Sequence, residues 1–309
     1  MTIINSINEI DIIKESVITI GNFDGLHKGH TALIQKAIEY AKSKNIRSVV
    51  FTFSNHPANY FKSNSLKNII TYEEKIERLK DLGVDVVVSI PFDEYMTKIS
   101  AQDFIKNILI DKLGAKKIIV GHDFTFAKNK EGNPKLLKHL SARHNYELEV
   151  VEPVEINNIR VSSTFIRNLV TSGNISKVKE YLGYNYELKG EVIHAKKLGR
   201  TIGFPTANIL VDADVLVPKV GIYVTKVYVK DKVYAGATNI GYNPTVNGDK
   251  ISIETNILEF NEDIYGQVIK VEFLERIRDE KKFASLDELK NQLKKDTNYV
   301  YEKYICKII

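Results

Sequence analysis

Residues 21–30 read Gly-Asn-Phe-Asp-Gly-Leu-His-Lys-Gly-His, three glycines framing two histidines that stand three positions apart. His27 and His30 fall where an apolar run, residues 17–20, gives way to a helical pattern beginning near Thr31. Side chains three apart on a helix share a face, and a helix start presents unpaired N–H groups at the positive end of its dipole. Two imidazoles beside such a terminus make a place to hold phosphate. Gly21, Gly25 and Gly29 let the backbone turn sharply and approach an anion closely, which Cβ atoms would prevent. A His-x-x-His pair is common by chance; one set inside a glycine-framed strand-to-helix turn is far more specific.

The elements that must position this turn follow from periodicity. Short apolar runs at 17–20, 48–53, 85–90, 117–120 and 148–151 alternate with helical patterns at 31–44, 72–82, 101–113 and 135–144, with Ser100 as the N-cap of the third. That alternation predicts an α/β fold with a doubly wound parallel sheet, in which ligands bind outside the carboxyl ends of the strands. Three loops leave strands directly: 21–30, Ser54-Asn55-His56-Pro57 and Gly121-His122-Asp123-Phe124. From residue 187 the texture becomes β-branched and aromatic, with turn signals at 230–232, 247–249 and 261–263 and no helical period before Ser285. This predicts a compact β-barrel. Ser285-Leu286-Asp287-Glu288 fits a capping box that opens a closing helix to about Tyr304. The expected domains are 1–183 and 184–309.

Composition bounds the partners. The 309 residues can bury two cores, and 43% hydrophobic with 27% charged residues is ordinary for a globular chain. A net charge of +5, from 44 basic and 39 acidic residues, suits phosphorylated small molecules and is too weak to argue for a nucleic-acid surface. The single cysteine, Cys306, excludes an intrachain disulfide and a cysteine-based zinc site, and points to the cytoplasm. Residues 1–11 lack a secretory pattern, and no run approaches the length of a membrane span. Oligomeric state is not specified by these motifs.

The segment 21–30 resembles the signature of the HxGH nucleotidyltransferases, and residues 15–300 resemble the prokaryotic bifunctional riboflavin kinase/FAD synthetases. A second anchor is Gly203-Phe204-Pro205-Thr206-Ala207-Asn208, similar to the riboflavin kinase metal and nucleotide motif. The resemblance implies an N-terminal Rossmann-like domain that adenylylates FMN to FAD and a C-terminal barrel that phosphorylates riboflavin, with ATP as co-substrate and Mg²⁺ as cofactor. In the first domain it implies that His27 and His30 contact the triphosphate, with Gly21, Phe23 and Gly25 shaping the turn and Asp123 at the polar position of the loop 121–126. Ser162-Ser163-Thr164-Phe165-Ile166-Arg167 resembles the family's second phosphate motif, hydroxyls at a helix start with Arg167 one turn on, able to grip phosphate oxygens in a bidentate way. In the second domain Thr206 and Asn208 would be oxygen donors to Mg²⁺, Glu254 the base, Gly199, Arg200, Gly203 and Pro205 the cradle of the nucleotide phosphates, and Arg278 part of the pattern flanking the flavin.

Plainer readings stand beside these. Ser163 and Thr164 could be helix caps and Arg167 a solvated side chain; Glu254 falls on an exposed strand face by alternation; His56 could anchor its loop. The sequence departs from the family pattern at Ala127, where glycine is usual, which puts a positive φ there in doubt. Ala195 follows His194 where glycine is common, and Asn256 stands where histidine is common. One alternative is therefore an enzyme with a single active domain, the departures at Ala127 and Ala195 being the features that discriminate. Another is a flavin- or nucleotide-binding regulator without chemistry, against which His27, His30 and Glu254 argue. Adenylyl transfer needs alignment and charge compensation rather than a protein nucleophile. No Walker A motif is present for the kinase half.

Overall fold

Strand β1 (Thr2–Ile4) was not legible as one; β2 (Ser16–Ile20), β3 (Arg47–Phe53), β4 (Val86–Ile90), β5 (Ala115–Gly121) and β6 (Glu147–Val151) match the apolar runs. All pair in parallel, in the order β1-β4-β3-β2-β5-β6. The computed structural model describes residues 1–61, 66–194, 199, 202–245 and 248–308. Contacts divide the chain into two compact units, Met1–Ser163 and Thr164–Ile309.

In the first unit both sheet faces are covered. Ile18, Ile20, Phe51 and Val88 point to one layer, with Phe104, Ile105 and Ile108, while Val17 and Ile119 pack with Ala37 and Ala41 on the other. Alternate residues of each strand thus enter different cores, as a buried parallel sheet requires. The helices are α1 (Lys28–Lys44), the short α2 (Pro57–Phe61), α3 (Tyr72–Asp81), the short α4 (Glu94–Lys98), α5 (Ala101–Asp103) and α6 (Pro134–His144). Ser100 caps α5 as expected, accepting from the Asp103 N–H at 3.0 Å. Beyond it the chain widens into a π-helix, Phe104–Ile110, with Asp111 N–H and Leu113 N–H reaching back five residues. The chain runs outward from β2 to β3 and β4, then returns to the other side for β5 and β6. The topological switch point therefore lies between β2 and β5, the two strands followed by residues 21–30 and 121–126. A small hairpin, β7 (Glu155–Ile156) and β8 (Ile159–Arg160), leads to α7 (Ser163–Ser172).

The second unit holds most of α7, α8 (Ile175–Leu182), and a closed antiparallel barrel. Its strands are β9 (Glu187–Ile193), β10 (Ala207–Val211), β11 (Gly221–Val229), β12 (Lys232–Thr245), β13 (Gly248–Ile257) and β14 (Val268–Arg278), in the order β10-β13-β12-β11-β14-β9. Inside the barrel a buried hydroxyl row, Thr225, Thr238 and Thr255, is linked at 2.8 and 2.9 Å. The compact division falls about twenty residues before Gly183 because α7 and α8 pack on the barrel. Lys219 N–H donates to the Val170 carbonyl at 3.3 Å, and the turn at Gly173 is tight against Arg276. The closing helix, α9 (Leu286–Ile308), starts on Ser285, whose hydroxyl accepts from Glu288 N–H at 3.2 Å; Glu288 returns to Ala284 N–H rather than to Ser285. Val300 packs with Val224 and Ala235 of the barrel wall.

Candidate functional site

In the first unit the sequence turn is built around His27, the N-cap of α1, with an extended backbone and its Nδ1 accepting from His30 N–H at 3.2 Å. The two imidazoles stack with centroids 3.6 Å apart, and Phe23 meets His30 edge-on at 5.3 Å. The histidines thus share a face at a helix start, with His27 only 5% exposed. Backbone geometry explains the residue types. Phe23 (φ 52°), Gly25 (φ 81°) and Leu26 (φ 38°) are left-handed, and a Cβ at Gly21 or Gly25 would press on Phe23 or Ile69 at 3.0 Å. Asp24, buried, accepts the Ile69 N–H through both carboxylate oxygens at 2.9 and 3.2 Å, and its carbonyl accepts from Ser163 Oγ at 3.0 Å. Ser163, the last residue of the first unit, is thereby tied to the turn. Thr164 follows it, and Arg167 lies one turn along α7 in the second compact unit.

On the neighbouring loop Asp123 pairs with Arg160 of β8 and has His122 Nδ1 at 3.9 Å. Partial burial would raise its pKa, but the Arg160 hydrogen bond and charge outweigh that and hold the carboxyl below its usual range. Ala127 answers the question its identity raised: it adopts φ 63°, ψ −173°, a region nearly confined to glycine. The conformation survives because Phe126 and Gly132 exchange backbone hydrogen bonds at 3.1 and 3.0 Å, and Lys128 N–H is held by the Ile99 carbonyl at 3.0 Å. His56 takes its loop-anchoring role, its Nδ1 accepting Ala58 N–H at 3.1 Å.

In the barrel, Asn208 of β10 stands directly opposite Glu254 of β13, and Glu254 opposite Asn239 of β12. Directly paired residues share a face. Ile253, Thr255 and Ile257 fill the interior, so Asn208 and Glu254 sit together on the outer surface, half-buried. Asn256 donates to the Pro205 carbonyl at 2.7 Å and so fixes the chain just before Thr206. Ahead of it the Gly199 carbonyl receives Ile202 N–H at 3.2 Å and Phe204 N–H at 2.8 Å, a Cβ on Gly199 would overlap the Phe204 carbonyl oxygen, and Gly203 is left-handed at φ 86°. Arg200 and Ala195 lie outside the described residues. A cavity of about 360 Å³ lies beside Thr206, lined by Pro205, Phe260 and Tyr265 among others.

Arg278, expected in the pattern flanking the flavin, pairs with the closing helix. Its guanidinium grips the buried Asp296 of α9 through Nε at 3.0 Å and Nη2 at 2.6 Å, and Gln292 supports the same carboxylate at 2.9 Å. It fastens the closing helix to the barrel. Residues that sequence reasoning passed over include Asp24, Arg160, Asn239 and Lys75; in sequence each reads as an ordinary loop, strand or helix-surface residue.

Residues 9–165 match the family model described as FAD synthetase and residues 182–304 the model described as riboflavin kinase. A bifunctional riboflavin kinase/FMN adenylyltransferase of Buchnera aphidicola is 36% identical over 309 residues, 98% of either chain. Proteins of the same name are 37% identical in Listeria monocytogenes and 36% in Escherichia coli, each over 91% of this chain and 90% of the relative. A Streptococcus pneumoniae crystal structure, described as a macrolide-efflux protein, shares the fold with a TM-score of 0.89 at 33% identity, over 97% of this chain and 98% of that one. Among the described residues no helix is long and apolar enough to cross a membrane. The two family models follow one another in the order of the two compact units, and relatives matched nearly end to end carry both names. The chain belongs to the bifunctional riboflavin kinase/FMN adenylyltransferase family.

Proposed function

We propose that the chain performs both reactions of its family: phosphorylation of riboflavin to FMN by the barrel, and adenylylation of FMN to FAD by the α/β unit, each with ATP. The observation that carries the first is the direct opposition of Asn208 and Glu254 on one exposed face, beside the Thr206 turn. A carboxylate there accepts the proton of the ribityl 5′-hydroxyl as its oxygen attacks the γ-phosphorus of ATP and ADP departs. Gly203, with open space where a Cβ would stand, suits close approach of phosphate oxygens, Gly199 shapes the turn by admitting the Phe204 carbonyl, and we extend the phosphate-cradling role to Arg200 and Pro205.

The residues present fit Mg²⁺. Among the described residues no cluster of three His, Cys, Asp or Glu side chains is available to hold a metal, and the donors at hand, the Thr206 hydroxyl and the Asn208 carbonyl oxygen, are hard and neutral. Such a set suits a cation that keeps waters and shares the substrate's phosphates. A bound Mg²⁺ would spread the charge of the transferring phosphoryl group. Asn256 acts on the same segment by holding the Pro205 carbonyl.

In the α/β unit a phosphate oxygen of FMN attacks the α-phosphorus of ATP and pyrophosphate leaves. His27 and His30, stacked at the start of α1 beside the switch point, would compensate the charge that accumulates on the transferred group. Ser163 and Thr164 at the start of α7, with Arg167 one turn on, would hold the leaving phosphates; Asp123 shapes the facing loop. We assign adenylylation to 1–183 and the kinase to 184–309, although α7 and α8 pack on the barrel, and place the enzyme in the cytoplasm, where its single cysteine would remain reduced.

One assay tests the reading. The purified protein is incubated with riboflavin, ATP and Mg²⁺, and riboflavin, FMN and FAD are separated by chromatography over time. FMN should appear first and FAD at its expense; absence of either product removes the corresponding half.

A further inference from the structure

Lys75 is a lysine in the protein interior, 7% exposed, on a helix whose start is locked by a capping box between Thr71 and Glu74. It lines a small cavity with Asn22, Asp24 and His56. It donates to the Phe53 carbonyl at 2.6 Å, and the Asn22 carbonyl and Thr52 Oγ1 each lie at 3.5 Å. Thr52 Oγ1 in turn donates to the same Asn22 carbonyl at 3.1 Å. One charged group therefore joins the carboxyl end of β3 to the turn that leaves β2, two residues into the histidine segment. Burying an ammonium is costly, and hydrogen bonds to carbonyls offset only part of that. A fold that needed merely to fill this space would do as well with an apolar chain of the same length.

We propose that Lys75 is a positioning residue for adenylyl transfer, its ammonium fixing the Asn22 carbonyl and hence the path of the turn that presents His27 and His30. The proposal rests on the FMN-adenylylating role given to this unit. The charge acting on the ammonium is that of Asp24 from the histidine turn; the Tyr72 ring on its own helix has its centroid 5.8 Å away, and His56 from the loop after β3 lines the same cavity. Glu74 is turned to the Thr71 N–H at 2.9 Å. Burial lowers the Lys75 pKa to about 8, with the Asp24 charge opposing the shift. The clamp is thus charged at neutral pH and loses its proton as pH rises through 8, where FAD formation should decline with it.

The test compares wild type with Lys75→Met and Lys75→Arg in the full chain, following FMN and FAD formation from pH 6.5 to 9.5 alongside thermal unfolding. For Lys75→Met we expect kcat for FAD formation to fall roughly 10- to 100-fold with little change in KM, as loss of alignment does. FMN formation in the same tube should be unchanged, and the variant should still unfold in a cooperative transition. The alkaline decline of FAD formation with a midpoint near pH 8 should vanish in Lys75→Met. In Lys75→Arg, whose cation persists, activity should extend to higher pH. An alkaline limb unchanged in both variants, or a wild-type rate in Lys75→Met, overturns the proposal. So does failure of both variants to fold, since that would make Lys75 a structural residue. A wild type that makes FMN and no FAD instead overturns the function assigned to the unit.

Discussion

At the scale of single residues the two reactions should separate cleanly. Glu254→Gln keeps the side chain's shape opposite Asn208 and removes its basicity. FMN formation should fall by roughly 10² to 10⁴ while adenylylation of supplied FMN continues, and a mutant that phosphorylates riboflavin at the wild-type rate would remove Glu254 from the mechanism. His30→Ala removes a ring stacked on His27 and should lower FAD formation by on the order of 10², leaving the kinase intact. Equal damage to both rates would point to a folding role for His30. The placement of these residues was legible because local geometry constrains it: a glycine at the positive φ of Gly25, histidines at a helix start, a carboxylate in register with an amide. Arg278 was not legible in the same way. An arginine at the end of a strand is equally suited to a phosphate or a buried aspartate, and its partner Asp296 is eighteen residues distant along the chain. Lys75 was hidden for the opposite reason, since a lysine after two glutamates in a helix reads as solvated charge.

At the scale of elements, the parallel strands after the first were legible as short continuous apolar runs and the larger helices of the first unit by their period. The strand Thr2–Ile4 escaped because three residues carry no period, and the π-helix Phe104–Ile110 because a five-residue reach leaves no signature distinct from an α-helix over so short a span. The loop carrying Ala127 yields the sharpest element-level prediction. A left-handed, extended-ψ alanine costs of order 1–3 kcal/mol, and replacing it by glycine returns that strain at the expense of about 0.5–1 kcal/mol of added freedom in the unfolded chain. Ala127→Gly should therefore raise the stability of the α/β unit by about 1 kcal/mol, read as a higher midpoint in thermal or denaturant unfolding. A lower midpoint would mean that neighbouring packing values the methyl group more than the backbone resists it.

At the scale of the whole molecule, the closing helix could have belonged to either half by sequence; it packs on its own barrel through Val300 and the Arg278–Asp296 pair. The second compact unit, residues 164–309, should therefore fold alone with a cooperative transition and convert riboflavin to FMN without making FAD. A folded fragment without kinase activity would sink the assignment of the kinase to the barrel. Starting the fragment at 184 strips away α8, which packs on β14, and should lower its melting temperature. Closure of the barrel has one more consequence. Each of its strands has a neighbour on both sides, so over the paired stretches no strand can peel away without breaking two ladders. The parallel sheet ends instead at a three-residue strand on one side and at Glu147–Val151 on the other, both with one row of backbone groups outside the ladder. Fraying during heating should therefore begin at these two edge strands of the parallel sheet before the doubly paired stretches of the barrel open.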